Sequence, residues 1–266
     1  MSDKNKVNFS KKLHKYIEYG TTKIKLLFAQ KKFTNNNITF KYILNKAPSD
    51  TLIVVLSSCT RKGLKARYNY MRTLKNINAN QLFILDDFAK DHRGGYYIGS
   101  NFTFGEEEVV HSLIEKIIKD TKANKVIFCG SSKGGWSALN IGLQFKDAYI
   151  VAGGPQYFLG DYLISSENLD TLEHIIGEQT EEKMEKINHY LRDRIRYNNY
   201  KDTQKIYLHY SNKEHTYFEH IKDLVEELES DGYDLDEDIA SYENHSDISY
   251  FFPDFMVESI KKIMLE

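Results

Sequence analysis

The sequence predicts one α/β domain, built on a mostly parallel sheet with helices on both faces and a helical insertion. Three observations predict it. Continuous β-branched runs recur along the chain, stretches with apolar residues at helical spacing separate them, and two shorter strand-like runs precede them all.

Taken in order, Ile24–Phe28 and Ile38–Ile43 read as strands, and the polar Asn35-Asn36-Asn37 turn between them predicts an antiparallel hairpin. Leu52–Leu56 is apolar throughout, and Gln81–Leu85 and Lys125–Cys129 are apolar after their first residue, the pattern of strands buried on both faces. Ala148–Ala152 and Lys205–Tyr210 follow, with a last strand expected at Asp238–Tyr242. Val109, Leu113, Ile114 and Ile117 predict a helix before the third buried strand, and Ala138, Leu139, Ile141 and Leu143 one after it. Phe218, Ile221, Val225 and Leu228 predict another before the last strand. Connections between the parallel strands are expected to be right-handed.

The segment 157–203 holds no strand and carries Met184, Ile187, Leu191 and Ile195 at helical spacing. A structureless loop of that length is uncommon in a compact domain. It reads as a helical lid inserted within a single domain of residues 1–266, beside the C-terminal edge of the sheet, where such folds keep their sites.

Bulk properties exclude several classes. The 266 residues are 41% apolar, enough for a sizeable core, and only three are proline. A net charge of -2 supplies no field toward nucleic acid or an anionic membrane. Basic pairs such as Lys11-Lys12 and Lys31-Lys32 read as solvated faces. Cys59 and Cys129 end apolar runs, which suits buried thiols in a reducing compartment better than a disulfide framework. Residues 1–12 are polar and lysine-rich, without the apolar stretch of a signal peptide. No run approaches the roughly eighteen apolar residues of a membrane span. A cytoplasmic protein without a nucleic-acid partner is the expectation.

The chemistry concentrates at Gly130-Ser131-Ser132-Lys133-Gly134, between a buried strand and an amphipathic helix. That context turns a G-x-S-x-G pattern into a nucleophile elbow, and with it the fold class into an α/β hydrolase. The elbow forces Ser132 into a strained backbone conformation, so the residues two positions either side must lack bulk. Glycines stand at both. The helix N-terminus directs free N–H groups at the serine. A phosphate-binding loop is disfavoured, because G-x-x-x-x-G-K-[ST] spacing is absent.

A serine hydroxyl needs a base, and the base needs an orienting carboxylate. In this fold the chain order is serine, acid, histidine. His245 follows the last expected strand and precedes the terminal helix, which makes it the candidate base. Glu214, after the strand Ile206–Tyr210, is the candidate acid. Asp161 and Asp247 are weaker rivals, and Glu219 and Asp223 read as solvent-facing helix positions. The oxyanion hole is expected from the backbone N–H of Lys133 and one from Ser57–Arg61, with Ser58 or Cys59 as the positional candidate. Asp86-Asp87 reads as a helix cap in preference to a site for substrate hydroxyls. Arg192, Arg194 and Arg196 read as a charged helical face, and the nineteen tyrosines as core and rim with a sugar cleft as the alternative. No H-E-x-x-H or paired-cysteine spacing points to a metal, and no cofactor is expected.

The stretches Ala66–Leu74, Leu82–Asp87, Gly94–Gly99, Gly130–Gly135 and Gly154–Tyr157, with Gly160 and Tyr162, resemble the XcbB/CpsF-type capsular polysaccharide biosynthesis proteins. The resemblance covers roughly Leu52–Tyr162. The same G-S-S-K-G-G core is similar to the hydrolase-like component of accessory Sec systems, a Ser-Glu-His acetyltransferase acting on sugars of exported glycoproteins. Its triad carries over onto Ser132, Glu214 and His245. The resemblance implies a serine esterase or acyltransferase acting on a small acyl ester, O-acetyl foremost, of a bacterial surface polysaccharide or its precursor. It also implies partners in a biosynthesis or secretion complex. The alternative is a catalytically idle hydrolase fold serving as a scaffold there.

Overall fold

The computed structural model describes residues 29–165 and 167–266, and arranges eight strands in one sheet of order β1-β2-β4-β3-β5-β6-β7-β8. β1 (Lys31–Asn35) and β2 (Ile38–Asn45) form an antiparallel hairpin, and β2 runs antiparallel to β4 (Asn80–Leu85). From β4 onward every pairing is parallel, through β3 (Thr51–Leu56), β5 (Lys125–Ser131), β6 (Tyr149–Gly153), β7 (Lys205–Ser211) and β8 (Asp234–Ala240).

The strand expected at 24–28 lies outside the described residues. The hairpin partner of β2 is instead Lys31–Asn35. Asn36 and Asn37 both take left-handed backbone, with φ of 48° and 62°, and Asn35 pairs with Ile38. Such a two-residue turn matches the twist of a hairpin and places its first strand directly before Asn36.

β3 and β4 are buried along their whole length because both faces of the sheet are covered. Leu52, Val54 and Leu56 point to one side, where they meet Val109, Leu113, Ile114 and Ile117 of α1 (Gly105–Thr121) and Leu139 and Ile141 of α2 (Lys133–Gly142). Ile53 and Val55 point to the other, against Phe252, Met256, Ile260 and Ile263 of the terminal helix, α7 (Ile248–Leu265). This period of two is that of a pleated strand. Each such aliphatic side chain stabilises the fold by about 1.5–3 kcal/mol relative to exposure.

Between β6 and β7 the chain passes through α3 (Leu159–Leu163), α4 (Leu169–Ile176) and α5 (Glu181–Arg196), then a short 3-10 turn. Thr180 caps α5, its side chain accepting from the Lys183 N–H. Ile187, Leu191 and Ile195 sink into the same core as α1 and α2, so this segment is packed into the domain rather than hung from it.

Two boundaries differ from expectation. The helix containing Phe218 begins as a π-turn at Tyr217–Ile221 and continues as α6 (Lys222–Ser230), and Phe218 itself is exposed. β8 starts at Asp234 rather than 238. Its sequence, DLDEDIA, hides the strand signal, because an edge strand tolerates charge that an interior strand does not. No helix among the described residues is long and apolar enough to cross a membrane.

Candidate active site

The parallel strands end side by side, and the loops leaving them converge. β3 delivers Ser57 to Thr60, β4 Asp86, β5 the elbow, β6 Gly154 to Gln156, β7 Glu214 and β8 His245.

At the elbow, β5 ends with Ser131 and α2 begins with Lys133. Ser132 joins them at φ 53° and ψ -122°, a region few non-glycine residues occupy, at a cost of about 1–3 kcal/mol. The surroundings enforce it. Ser132 N–H donates to Gly153 O at 2.7 Å, and its carbonyl accepts from Gly135 and Trp136 N–H at 2.8 and 3.0 Å. A Cβ on Gly130 would lie 2.5 Å from Gly134 O, and one on Gly134 would lie 2.5 Å from Leu56 O.

The half-buried Ser132 presents its Oγ to His245. Nε2 of His245 lies 2.9 Å from that oxygen, and Nδ1 lies 3.1 Å from Glu214 Oε2. Glu214 is fully buried, while His245 keeps 21% of its side chain exposed. Burial pushes the Glu214 carboxyl up, but the hydrogen bond and charge of His245 outweigh it and hold it below its ordinary value. An ionised Glu214 accepts a hydrogen bond from the Nδ1–H of His245 and leaves Nε2 free to accept from Ser132, the tautomer a general base needs. The rival carboxylates are engaged elsewhere or exposed: Asp161 with Asn188, Asp247 with Asn244, Glu219 with His215, and Asp223 toward solvent. Ser131, the adjacent serine, commits its hydroxyl to Tyr70 and Ser58.

The candidate oxyanion donors separate on geometry. Ser57 N–H donates to Tyr97 Oη at 2.8 Å, and Ser58 N–H to Asn69 Oδ1 at 3.0 Å. The Cys59 N–H finds no acceptor among the described residues, and the Lys133 N–H, in the first turn of α2, has no intrahelical acceptor. Cys59 and Lys133 are therefore the open pair, and Ser58 instead braces the elbow through Oγ to Ser131 O at 2.9 Å. Arg93, buried, holds this loop in place. It donates to Thr60 O at 2.7 Å, to Cys59 Sγ at 3.0 Å and to Glu167 O at 2.6 Å, so one guanidinium ties the loop to the segment between β6 and β7.

Asp86 does not cap a helix; its carboxylate pairs inside the domain. It is fully buried, and its Oδ2 accepts from Lys133 Nζ at 2.7 Å while Oδ1 accepts from Gly95 N–H at 2.9 Å. The Lys133 side chain thus turns inward beneath the elbow, while its backbone N–H stays open beside Ser132. Asp87 pairs with Lys41. Arg194 and Arg196 are likewise engaged, with Glu107 and Glu227.

One residue beside Ser132 Oγ carries no signal of its own in the sequence. Gln156, fully buried, places Nε2 at 3.2 Å from Ser132 Oγ. The signal available for it was its place in Gly154-Pro155-Gln156-Tyr157, directly beyond the C-terminal end of β6.

No protein-family model matches the chain, and no curated protein matches it in sequence. Solved structures do. The capsule O-acetyltransferase of Neisseria meningitidis serogroup A superposes with a TM-score of 0.72 at 22% identity, over 88% of this chain and 94% of that one. A mutant of that enzyme has been solved in complex with CoA. A chain of the glycosylation-associated Gap123 complex from Streptococcus agalactiae gives 0.68 at 17% identity, over 85% of this chain but 45% of that one. FphF, a fluorophosphonate-binding serine hydrolase of Staphylococcus aureus, gives 0.63 at 11% identity, over 88% and 97%. At these identities the likeness concerns the fold, and the chain has the α/β-hydrolase fold.

Proposed function

We propose that this chain is a serine acyltransferase or esterase that moves a small acyl group, an O-acetyl group foremost, on a bacterial surface polysaccharide or its precursor. The observation that carries the reading is the line from Glu214 through His245 to Ser132 Oγ, at 3.1 and 2.9 Å, on a strained elbow.

In this reading Ser132 Oγ attacks the acyl carbonyl as its proton passes to His245 Nε2, and Glu214 stabilises the imidazolium. The negative charge on the carbonyl oxygen is held by the N–H groups of Cys59 and Lys133; one such donor is worth about 10²–10³ in rate. His245 then protonates the leaving group, and an acyl-Ser132 remains. A sugar hydroxyl or water, deprotonated by His245, takes the acyl group in the second half. The complex of the meningococcal enzyme with CoA supports a thioester as donor, and that enzyme's action on capsule supports a polysaccharide hydroxyl as acceptor. The Gap123 neighbour supports a place in a larger assembly.

A fluorophosphonate probe tests this directly, because it reacts only with an activated serine. The expected result is stoichiometric labelling of wild type and of Ser131→Ala, and none of Ser132→Ala. A folded wild-type protein that takes no label would leave the hydrolase fold as a scaffold.

A further inference from the structure

Gln156 lies beyond β6 with its side chain fully buried, and its amide reaches the centre of the site. Nε2 is 3.2 Å from Ser132 Oγ, 3.4 Å from His245 Nε2 and 3.4 Å from Gly154 O. Oε1 lies 3.5 Å from the hydroxyl of the buried Tyr96. The amide orientation follows from these partners. A backbone carbonyl only accepts, so the end of the amide beside Gly154 O carries the hydrogens. One hydrogen serves that carbonyl, and the other points between Ser132 Oγ and His245 Nε2.

We infer that Gln156 is a catalytic residue, a side-chain donor that stabilises negative charge on the nucleophilic oxygen itself. The inference rests on Ser132 being the nucleophile. Before reaction, Ser132 Oγ donates its proton to His245 and accepts from Gln156, and the amide hydrogen is shared with the imidazole nitrogen. As Oγ bonds to the acyl carbon, the Oγ–H bond breaks and its proton moves to His245 Nε2. The imidazolium can then no longer accept. The amide hydrogen is left with Oγ alone while Oγ–H breaking runs ahead of Oγ–C bonding, before the charge passes on to the carbonyl oxygen. The interaction is therefore stronger in the transition state than before it, the condition for raising rate rather than mere binding. In the second half the Oγ–C bond breaks and Oγ takes back a proton from His245. The same donor then assists Oγ as a leaving group.

This role differs from that of the Cys59 and Lys133 N–H groups, which serve the carbonyl oxygen. Burial sharpens it, since water does not compete for the amide.

The experiment measures the second-order rate of fluorophosphonate labelling for wild type, Gln156→Met and Gln156→Glu, with melting temperature as the check on folding. Methionine keeps the volume and removes the donor; a carboxylate keeps the shape and has no proton to give. A hydrogen bond to a charged oxygen predicts labelling slowed about 10- to 100-fold in both variants. With p-nitrophenyl acetate the loss falls on kcat rather than KM. Labelling within about twofold of wild type, in either folded variant, overturns the inference while leaving Ser132 as nucleophile. If Gln156→Met does not fold, Gln156→Glu decides alone. A wild-type protein that takes no label overturns the acyl-transfer reading and this inference with it.

Discussion

Replacing Lys133 by methionine should unfold this protein far more readily than its place next to the proposed nucleophile would suggest. The ammonium and the Asp86 carboxylate are both fully buried, 2.7 Å apart. Removing the cation leaves Asp86 with the Gly95 N–H at 2.9 Å and no charge partner. Removing the anion by Asp86→Asn leaves the ammonium with Ser57 Oγ at 3.4 Å and the Tyr97 ring at 5.3 Å. Breaking a buried pair from one side costs about 3–5 kcal/mol, because the remaining charge stays desolvated. At about 2–4 °C per kcal/mol for a large domain, the melting temperature should fall by about 6–20 °C. The double variant carries neither charge, and the amide that Asp86→Asn introduces can still accept from the Gly95 N–H. It should recover at least half of the loss. Urea unfolding followed by the fluorescence of the one tryptophan, Trp136, which is fully buried, measures all four proteins. Lys133→Met within about 1 kcal/mol of wild type, or single losses that simply add in the double variant, would refute the reasoning.

Two further outcomes follow from the same geometry. Burial holds His220 down at about 4, and its Nδ1 accepts from the Phe158 N–H at 3.3 Å. The folded chain keeps it neutral while the unfolded chain takes up a proton below 6.5, so the stability it lends is complete above that pH and drains away as pH falls toward 4. His220→Gln, which retains an acceptor and does not titrate, should flatten the acid limb of thermal melts; an unchanged limb would contradict the assignment. Gly134→Ala places a carbon 2.5 Å from Leu56 O, a backbone atom that cannot swing aside. It should cost about 1–3 kcal/mol and abolish fluorophosphonate labelling, and a variant that labels normally would show that the elbow has room.

What could be read from the sequence follows from where the physics is local. The central strands announce themselves because a strand covered on both faces must be apolar at every position, as Leu52–Leu56 is. The elbow is visible because close backbone approach leaves glycine as the residue that fits at 130 and 134. Chain order then nominated Glu214 and His245, and the structure brings both to Ser132. Asp86 and Lys133 could not be paired in the same way. They are 47 residues apart, and an acidic pair at a strand end reads equally well as a cap. Gln156 was hidden for a related reason: an amide has no motif, and only the fold shows which atom it faces. β8 was displaced because an edge strand is set by hydrogen bonding on one side rather than by apolar sequence.

The composition of β8 bears on how the molecule meets other copies of itself. Asp234, Asp236, Glu237 and Asp238 stand on a strand with one edge unpaired among the described residues. Lys262, Tyr210 and His209 hold the last three in place at 2.6, 2.7 and 2.6 Å. Were two β8 strands to approach edge to edge, four carboxylates from each, three of them anchored, would be forced together. The charge on this edge therefore keeps it from becoming a template for fibrous growth.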